Sequence, residues 1–395
     1  MSRNLSLFVC CRSVGWNMMA RIPFLDGIAG NRAAIRPMLG DSYASLPTIL
    51  TGKTPQEHGH FGWFHYTPAS SPFNRFRFVR HLPSSLRNSR WLRAVIEDWT
   101  TSGERITGRF SLYNIPLEHL PLFEITERHD LLAPGGLESQ QTLIDWLGLH
   151  GLKWFCSENG KDDVENADSL AESLEQGAVD AAFIMLNGFD YDVRVEGVHS
   201  PGLRGRMGWA DYRIRGLYET ASHTYDRVDL VVFSDTDMLP VSRTYDLQRM
   251  VRQSGYLYGR DYVAFYEPTL ARFWFISNDC RTAFRQMLDV CECGTILSNE
   301  ELERQGCRFA DGRFGEMLFV ADHGKAFFPN FISDSPPRAA SGYLPTDARL
   351  EAGLVCNLAD VKLPGCVADV YELLAGCIED SAGLKPAERV ELIEA

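Results

Sequence analysis

Short, uninterrupted apolar runs are the clearest pattern along this chain of 395 residues. Residues 179–187 and 228–235 are runs of strand length in which nearly every position is apolar, and Leu7 to Cys11 forms another near the start. A strand that is apolar on both faces is typical of a parallel sheet covered by helices on each side. The pattern therefore predicts an α/β fold with a mostly parallel central sheet flanked by helices.

Between and after these strands, the pattern predicts helices. We expect a helix from Met18 to Leu25, an irregular connection over residues 26–38, and a helix from Gln140 to Leu149. From Leu354 onward the chain reads as two helices, of which the last covers residues 386–395. Residues 243–315 are mixed, with strand-like runs and one helix from Cys280 to Cys291.

Residues 40–60 carry the strongest chemical signal. Ser42 stands just before a short apolar run, Leu46 to Leu50, and Gly52 can end a helix in the left-handed conformation. Backbone N–H groups at a helix start favour an anion and lower the pKa of a hydroxyl that must ionise to attack. The alternative is that Ser42 only caps the helix.

Three motifs resemble the alkaline phosphatase superfamily, in particular its nucleotide pyrophosphatase/phosphodiesterase-like branch. Ser42, followed by the Leu-Thr-Gly-x-x-Pro-x-x-His-Gly run of residues 50–59, is similar to the nucleophile segment of that family. Residues 234–238 resemble its Ser-Asp-His-Gly-Met motif, and residues 339–343 a His-Gly-Tyr segment. The resemblance implies an alkaline-phosphatase-like core at 1–242 and 316–395, interrupted by an inserted α+β subdomain at 243–315.

The resemblance also implies two divalent metal ions, held by aspartate and histidine side chains that clamp the attacking and leaving oxygens. Only two of the six expected ligands, Asp190 and Asp235, are retained. The other four positions carry residues of a different kind: Arg12 for an aspartate, and Arg194, Thr236 and Ser341 for histidines. We therefore predict no metal and no other cofactor, although a shift of two in the alignment would exchange Asp190 for Asp192. Rescue ligands such as His199, His323 or Asp237 are left open.

Two of the replacements are arginines, and this changes the expected chemistry of the pocket. A guanidinium stays protonated and offers no lone pair to a metal ion. It can instead neutralise a carboxylate that would be costly to bury alone. We therefore predict that Arg12 pairs with Asp235 and that Arg194 pairs with Asp190.

Composition limits the partners and the compartment. The formal charge of −13 argues against a nucleic-acid backbone as a partner. Ten irregularly spaced cysteines without a CxxC pair indicate reduced thiols. The apolar run near the N-terminus is too short for a membrane span, so we expect a cytoplasmic protein with no membrane partner.

The leading hypothesis is a degenerate member of this superfamily that lacks both metal sites and binds a small anionic ligand such as phosphate, sulfate or a carboxylate, or acts as a pseudoenzyme. A protein partner is left open. The alternative is a metal-independent transferase or hydrolase that uses Ser42 with arginines as stabilisers, and a divalent-metal phosphodiesterase ranks third. The candidate catalytic residues are Ser42, Arg12 and Arg194. The candidate ligand-binding residues are Asp190, Asp235, Thr236, Ser341, His58 and His60.

Overall fold

The chain is built around a six-stranded sheet, seen here in a computed structural model that describes residues 3–40, 43–87 and 89–384. Ser42 and the predicted helix at 386–395 lie outside the described residues. The described strands are β1 (Asn4–Cys11), β2 (Asn31–Ile35), β3 (Phe64–Tyr66), β4 (Phe123–Ile125), β5 (Trp154–Cys156), β6 (Ala181–Leu186), β7 (Arg227–Phe233), β8 (Leu239–Pro240), β9 (Arg243–Tyr245), β10 (Tyr262–Tyr266), β11 (Leu270–Phe275), β12 (Gly294–Ile296), β13 (Met317–Ala321), β14 (Lys325–Phe327), β15 (Ala339–Ala340) and β16 (Ala352–Cys356).

The described α-helices are α1 (Trp16–Met19), α2 (Pro23–Ile28), α3 (Ser45–Thr51), α4 (Pro55–His58), α5 (Ser84–Arg87), α6 (Arg90–Gly103), α7 (Leu143–Leu149), α8 (Asp163–Glu175), α9 (Gly188–Glu196), α10 (Pro201–Thr224), α11 (Leu247–Gln253), α12 (Asn278–Asp289), α13 (Asn299–Arg304) and α14 (Val370–Ala382). Shorter 3₁₀ segments cover Pro72–His81, Leu120–Leu122, Ala348–Leu350 and Val367–Asp369.

The central sheet has the order β2-β16-β7-β1-β6-β5. Strands β5, β6, β1 and β7 are parallel, so the predicted mostly parallel sheet is confirmed. The pairing places Leu7 opposite Ala182 on one side and Leu230 on the other. Strand β16 runs antiparallel to both β7 and β2.

Helices cover both faces of the sheet, as the continuous apolar strands predict. Leu7 and Val9 of β1 pack in one core with residues of α8, α9 and α10, whereas Phe8 and Cys10 pack in another core with residues of α3, α7 and α14. Side chains alternate between the faces of a strand, and here both sets are buried. The apolar run of β1 is therefore explained by helical layers on both sides.

A second, four-stranded antiparallel sheet has the strand order β10-β11-β13-β12. Its helix α12 agrees with the helix expected over residues 280–291. Strand β13 lies within residues 316–395, which were expected to belong to the core, but it pairs with β11 and β12. The second sheet therefore extends past residue 315.

Three local predictions differ from the structure. The helix expected from Met18 to Leu25 is two short helices, because Pro23 starts a new one. The expected connection at residues 26–38 contains β2. Leu354 lies in β16 and not in a helix, because residues 352–356 complete the sheet between β2 and β7.

Candidate functional site

The candidate site lies where three neighbouring parallel strands end. Arg12 follows β1 directly, Asp235 comes just after β7, and Asp190 is in the first turn of α9, which follows β6. Strand β1 lies between β6 and β7, so the three strand ends are adjacent. Open α/β sheets bind ligands at the carboxyl ends of their strands. The topology therefore brings the predicted residues together.

Arg12 and Asp235 form an ion pair in the interior of this site. Nε of Arg12 lies 3.6 Å from Oδ2 of Asp235, whose side chain is only 3% exposed. The other carboxylate oxygen of Asp235 accepts a hydrogen bond from the backbone N–H of Ser13, at 3.0 Å. Thus the predicted pairing of Arg12 with Asp235 is confirmed.

Arg194 and Asp190 form the second predicted pair, one helical turn apart on α9. Nη2 of Arg194 donates to Oδ1 of Asp190 at 3.2 Å. The same carboxylate oxygen accepts a hydrogen bond of 2.8 Å from the hydroxyl of Ser13. Ser13 adopts a left-handed conformation with φ of 60°, and in this conformation it contacts both carboxylates.

The two carboxylates have different pKa values because their surroundings differ. Burial raises the pKa of Asp235 above its ordinary value, and Arg12 and the Ser13 N–H offset this only in part. Burial also acts to raise the pKa of Asp190, but attraction to Arg194 and Arg12 outweighs it, so this pKa is lowered. Burial opposes the charge of Arg12, yet Asp235 and Asp190 raise its pKa overall. Arg12 therefore stays protonated between them.

The hydroxyl residues at the two other replaced positions are both buried. Thr236 directly follows Asp235, and its hydroxyl donates to the backbone oxygen of Asp237 at 3.0 Å. Ser341 is buried after β15, and its backbone oxygen accepts a hydrogen bond of 2.8 Å from the Thr269 hydroxyl. A role of either residue in ligand binding stays a prediction.

His58 and His60 line a different cavity, of about 350 Å³, together with His65 and Arg313. Nε2 of His58 contacts the Thr48 hydroxyl at 2.9 Å, and its Nδ1 accepts the backbone N–H of His60 at 3.2 Å. Burial lowers the pKa of His58 to about 3 and that of His60 to about 4. Both imidazoles are neutral at pH 7, and the contacts of His58 with Thr48 and with the backbone of His60 favour a structural role for His58.

A further cavity, of about 360 Å³, is lined by Arg109, Lys161 and Asn187 and by the rings of Trp63 and Tyr113. The guanidinium of Arg109 donates to two neutral amide oxygens, on Asn159 at 3.4 Å and on Asn187 at 3.3 Å. It takes part in none of the ion pairs among the described residues. Burial lowers the pKa of Arg109, and the nearby positive charge of Arg12 lowers it further. The two arginines therefore repel each other across the site.

Glu127 is a second acidic group in this environment that the motifs did not indicate. Its Oε1 accepts the backbone N–H of Arg109 at 3.1 Å. Burial raises the pKa of Glu127 to about 7, although Arg109 and Arg12 act to lower it. Glu127 is therefore only partly ionised at neutral pH, and it compensates Arg109 incompletely.

The described side chains do not fit the two-metal centre that the fold family implies. At the position of one expected aspartate, the Arg12 guanidinium contacts the retained Asp235 and has no lone pair to donate. At the position of one expected histidine, Arg194 contacts the retained Asp190. Within residues 3–40, 43–87 and 89–384, no three or more His, Cys, Asp or Glu side chains are grouped so that they could hold a metal ion.

The three conceivable rescue ligands are dispersed. His323 contacts the backbone oxygen of Leu344 and the carboxylate of Asp347, and His199 is exposed before α10. Asp237 packs against Gly15, where a Cβ would lie only 1.8 Å from its Oδ2. Burial raises the pKa of Asp237 to about 7, even though the Met238 N–H binds its carboxylate.

Three site residues were missed by reasoning from the motifs: Ser13, Arg109 and Glu127. Ser13 follows Arg12 directly, so its position after a buried strand was an available signal. Arg109 and Glu127 lie far from every motif along the chain, and only the folded structure brings them close to Arg12.

Comparison with known proteins agrees with this fold. The profile of the family described as type I phosphodiesterase/nucleotide pyrophosphatase matches residues 17–282, so the chain belongs to this family. No match was found among proteins with curated descriptions. None of the helices in the described part of the chain has the length and apolarity to span a bilayer.

Solved structures of ectonucleotide pyrophosphatase/phosphodiesterase 5 share the fold. The murine protein, in an inactive mutant form in complex with AMP, matches with a TM-score of 0.68 and 16% identity, covering 97% of this chain and 96% of that chain. A second murine structure gives a TM-score of 0.68 and 15% identity, with the same coverage. The human protein gives 0.67 and 14% identity, covering 95% and 94%. At this identity the likeness establishes the fold alone.

Proposed function

We propose that this protein binds a small anionic ligand in the Arg109 cavity, near the charge of Arg12, and that it does not hydrolyse phosphodiesters by a two-metal mechanism. The proposal rests on one observation above all. Arg109 faces a cavity, and within the described chain its guanidinium donates to neutral amide oxygens and to no carboxylate. A half-buried cation in this setting favours an anion, to which it can donate charge-assisted hydrogen bonds.

The rest of the cavity supports an anion that carries a planar ring. Trp63 and Tyr113 line it, with ring centroids 5.3 Å apart. Lys161 adds positive charge, although it is paired with Glu158 at 2.7 Å.

The Arg12 and Arg194 pairs support binding without hydrolysis. Metal ions in this type of fold would activate the nucleophile and stabilise the leaving oxygen. Arg12 and Arg194 can neutralise Asp235 and Asp190, but neither can bring a bound hydroxide to the substrate. We therefore propose that the strand-end site keeps the shape of the family's pocket, with the positive charge supplied by Arg12 and Arg194 and not by metal ions.

AMP is a suitable probe, because the murine structural relative was solved in complex with it. We expect calorimetric titration to detect AMP binding in the presence of chelator, and Arg109→Gln to weaken it by about tenfold or more, as for loss of a charge-assisted contact. Adenosine and inorganic phosphate separate the contributions of the ring and the anion. The matched control is Arg260→Gln, which removes an exposed arginine that pairs with Asp261.

The proposal would be overturned if AMP bound only after addition of a divalent cation, or if Arg109→Gln and Arg260→Gln bound it equally well. Turnover of an activated aryl phosphodiester should stay at background. Metal-stimulated turnover that disappears in Ser42→Ala would instead support a metal phosphodiesterase. Metal-independent turnover that disappears in Ser42→Ala would support the transferase or hydrolase alternative.

A further inference from the structure

Residues 72–105 form a basic segment in an otherwise acidic protein. The segment contains seven arginines and three acidic residues, a formal charge of +4, whereas the whole chain carries −13. It folds as the 3₁₀ segment Pro72–His81 followed by α5 and α6. A local charge of the opposite sign indicates a surface that meets an anionic partner.

Helix α6 presents an apolar stripe to solvent on this segment. Trp91, Val95 and Trp99 recur every four residues and so lie along one side of the helix. Trp91 is 72% exposed and Trp99 is 62% exposed, whereas Val95 between them is partly buried. Ile96 and Thr100, each one position further along, are buried against the protein. Tryptophan is highly buried on average, and exposed apolar patches rimmed by polar residues mark interaction sites.

Further apolar side chains stand on the neighbouring elements. Phe78 of the 3₁₀ segment and Leu86 of α5 are each more than half exposed. The ring centroids of Trp99 and Phe76 lie 6.5 Å apart in an edge-to-face arrangement, so α6 packs against the 3₁₀ segment here. The exposed apolar residues thus belong to one connected part of the structure.

Arg105 ends the segment, and the other six arginines fall into two groups. Arg75 pairs with Glu104, Arg87 pairs with Glu118, and Arg93 donates to backbone oxygens of residues 112 and 115. The second group, Arg77, Arg80 and Arg90, is exposed and takes part in no ion pair of the described residues. These three charges are available to an external anion.

We propose that this surface, the Trp91–Val95–Trp99 stripe with Arg77, Arg80 and Arg90, binds the face of an anionic lipid membrane peripherally. Tryptophan partitions into the headgroup region of a bilayer, and arginine binds lipid phosphates and carboxylates. An acidic protein would complement the arginines but would need an apolar pocket to receive two tryptophans. The proposal departs from the sequence-based expectation of no membrane partner, which considered only spanning segments.

Vesicle flotation with the full-length protein tests the proposal. We expect the protein to float with vesicles of mixed phosphatidylcholine and phosphatidylserine and not with phosphatidylcholine alone, and high salt should release it. The Trp91→Ser/Trp99→Ser variant, and separately Arg77→Gln/Arg80→Gln/Arg90→Gln, should each weaken binding by about tenfold or more. The matched control is Tyr212→Ser/Val290→Ser, which removes apolar side chains exposed to a similar degree on other parts of the surface.

Several outcomes would overturn the inference. These are absence of flotation at any anionic lipid content, flotation that persists in both the tryptophan and the arginine variants, or an equal loss of flotation in the control. A wild-type protein that dimerises through the stripe, becomes monomeric in Trp91→Ser/Trp99→Ser and ignores vesicles would identify a second copy of the chain as the occupant. A melting temperature equal to that of the wild type confirms, for each variant, that the surface and not the fold has changed.

Discussion

Replacing Arg12 by Met is the perturbation that acts most directly on the strand-end site. Methionine fills much of the volume of the arginine stem but removes the charge that lies 3.6 Å from the Asp235 carboxylate. Asp235 is 3% exposed and would keep the hydrogen bond from the Ser13 N–H at 3.0 Å. Removing one partner of a buried ion pair costs about 3–5 kcal/mol, because the other charge stays buried and uncompensated.

The lower end of this range applies here, because Asp235 can escape the cost by binding a proton. Burial already raises its pKa, and loss of Arg12 would raise it further. For a chain of 395 residues, an unfolding entropy of about 2.1 cal/mol/K per residue converts about 3 kcal/mol into a fall in Tm of roughly 4 °C. Differential scanning calorimetry at several pH values measures both quantities.

The sign of the pH dependence follows from proton binding. In the variant, Asp235 holds a proton in the folded state at pH values where the unfolded chain has released it. Stability therefore falls as pH rises above the unfolded pKa, so the deficit of Arg12→Met should be largest near pH 8 and smaller near pH 5. A control variant, Arg349→Met, removes an arginine that is 68% exposed and paired with Asp347, and should leave Tm unchanged. Equal melting temperatures for Arg12→Met and wild type, or a deficit that grows on acidification, would refute the reasoning.

Two further predictions concern the same site. Restoring the family's ligands with Arg12→Asp, Arg194→His, Thr236→His and Ser341→His should create zinc affinity that the natural protein lacks. Competition with a chromophoric chelator measures this affinity, and no gain would contradict the alignment of these four positions with the family's ligands. Glu127→Gln should make the protein more stable than wild type at pH 8 but not at pH 4. The Glu127 carboxyl has a pKa of about 7 in the folded protein, so the wild-type protein loses stability as pH rises from about 4 to 7 and this carboxyl ionises. Urea unfolding at the two pH values measures the difference, and a variant less stable than wild type at pH 8 would contradict the prediction.

The central strands were predictable because their cause is local in sequence, whereas the ion pairs were predictable through the family resemblance. Continuous apolar runs such as Leu7 to Cys11 are typical of strands buried on both faces, and the carboxyl ends of parallel strands lie at the same edge of the sheet. The resemblance implied that Arg12 lies beside Asp235 and Arg194 beside Asp190, and the pairing followed because a buried carboxylate requires compensation.

The features that were missed depend on tertiary context. Strands β2 and β16 are short and carry alanine and glycine at several positions, so neither has a distinctive pattern, and their pairing with each other makes them strands. Ser13 contacts both carboxylates only because its backbone is left-handed, which serine does not favour by itself. Arg109 reaches the site from a segment without regular structure, and nothing near it in sequence indicates its role.

Metal content tests most directly whether arginines have replaced the metal ions. The measurement is elemental analysis of protein purified without chelator and then loaded with excess zinc and desalted, together with its melting temperature before and after chelation. Because Arg12 and Arg194 contact the two retained aspartates, the protein should hold well under one zinc ion per chain, and chelator should not change its Tm. Two zinc ions per chain, with a Tm that falls when chelator removes them, would contradict the account.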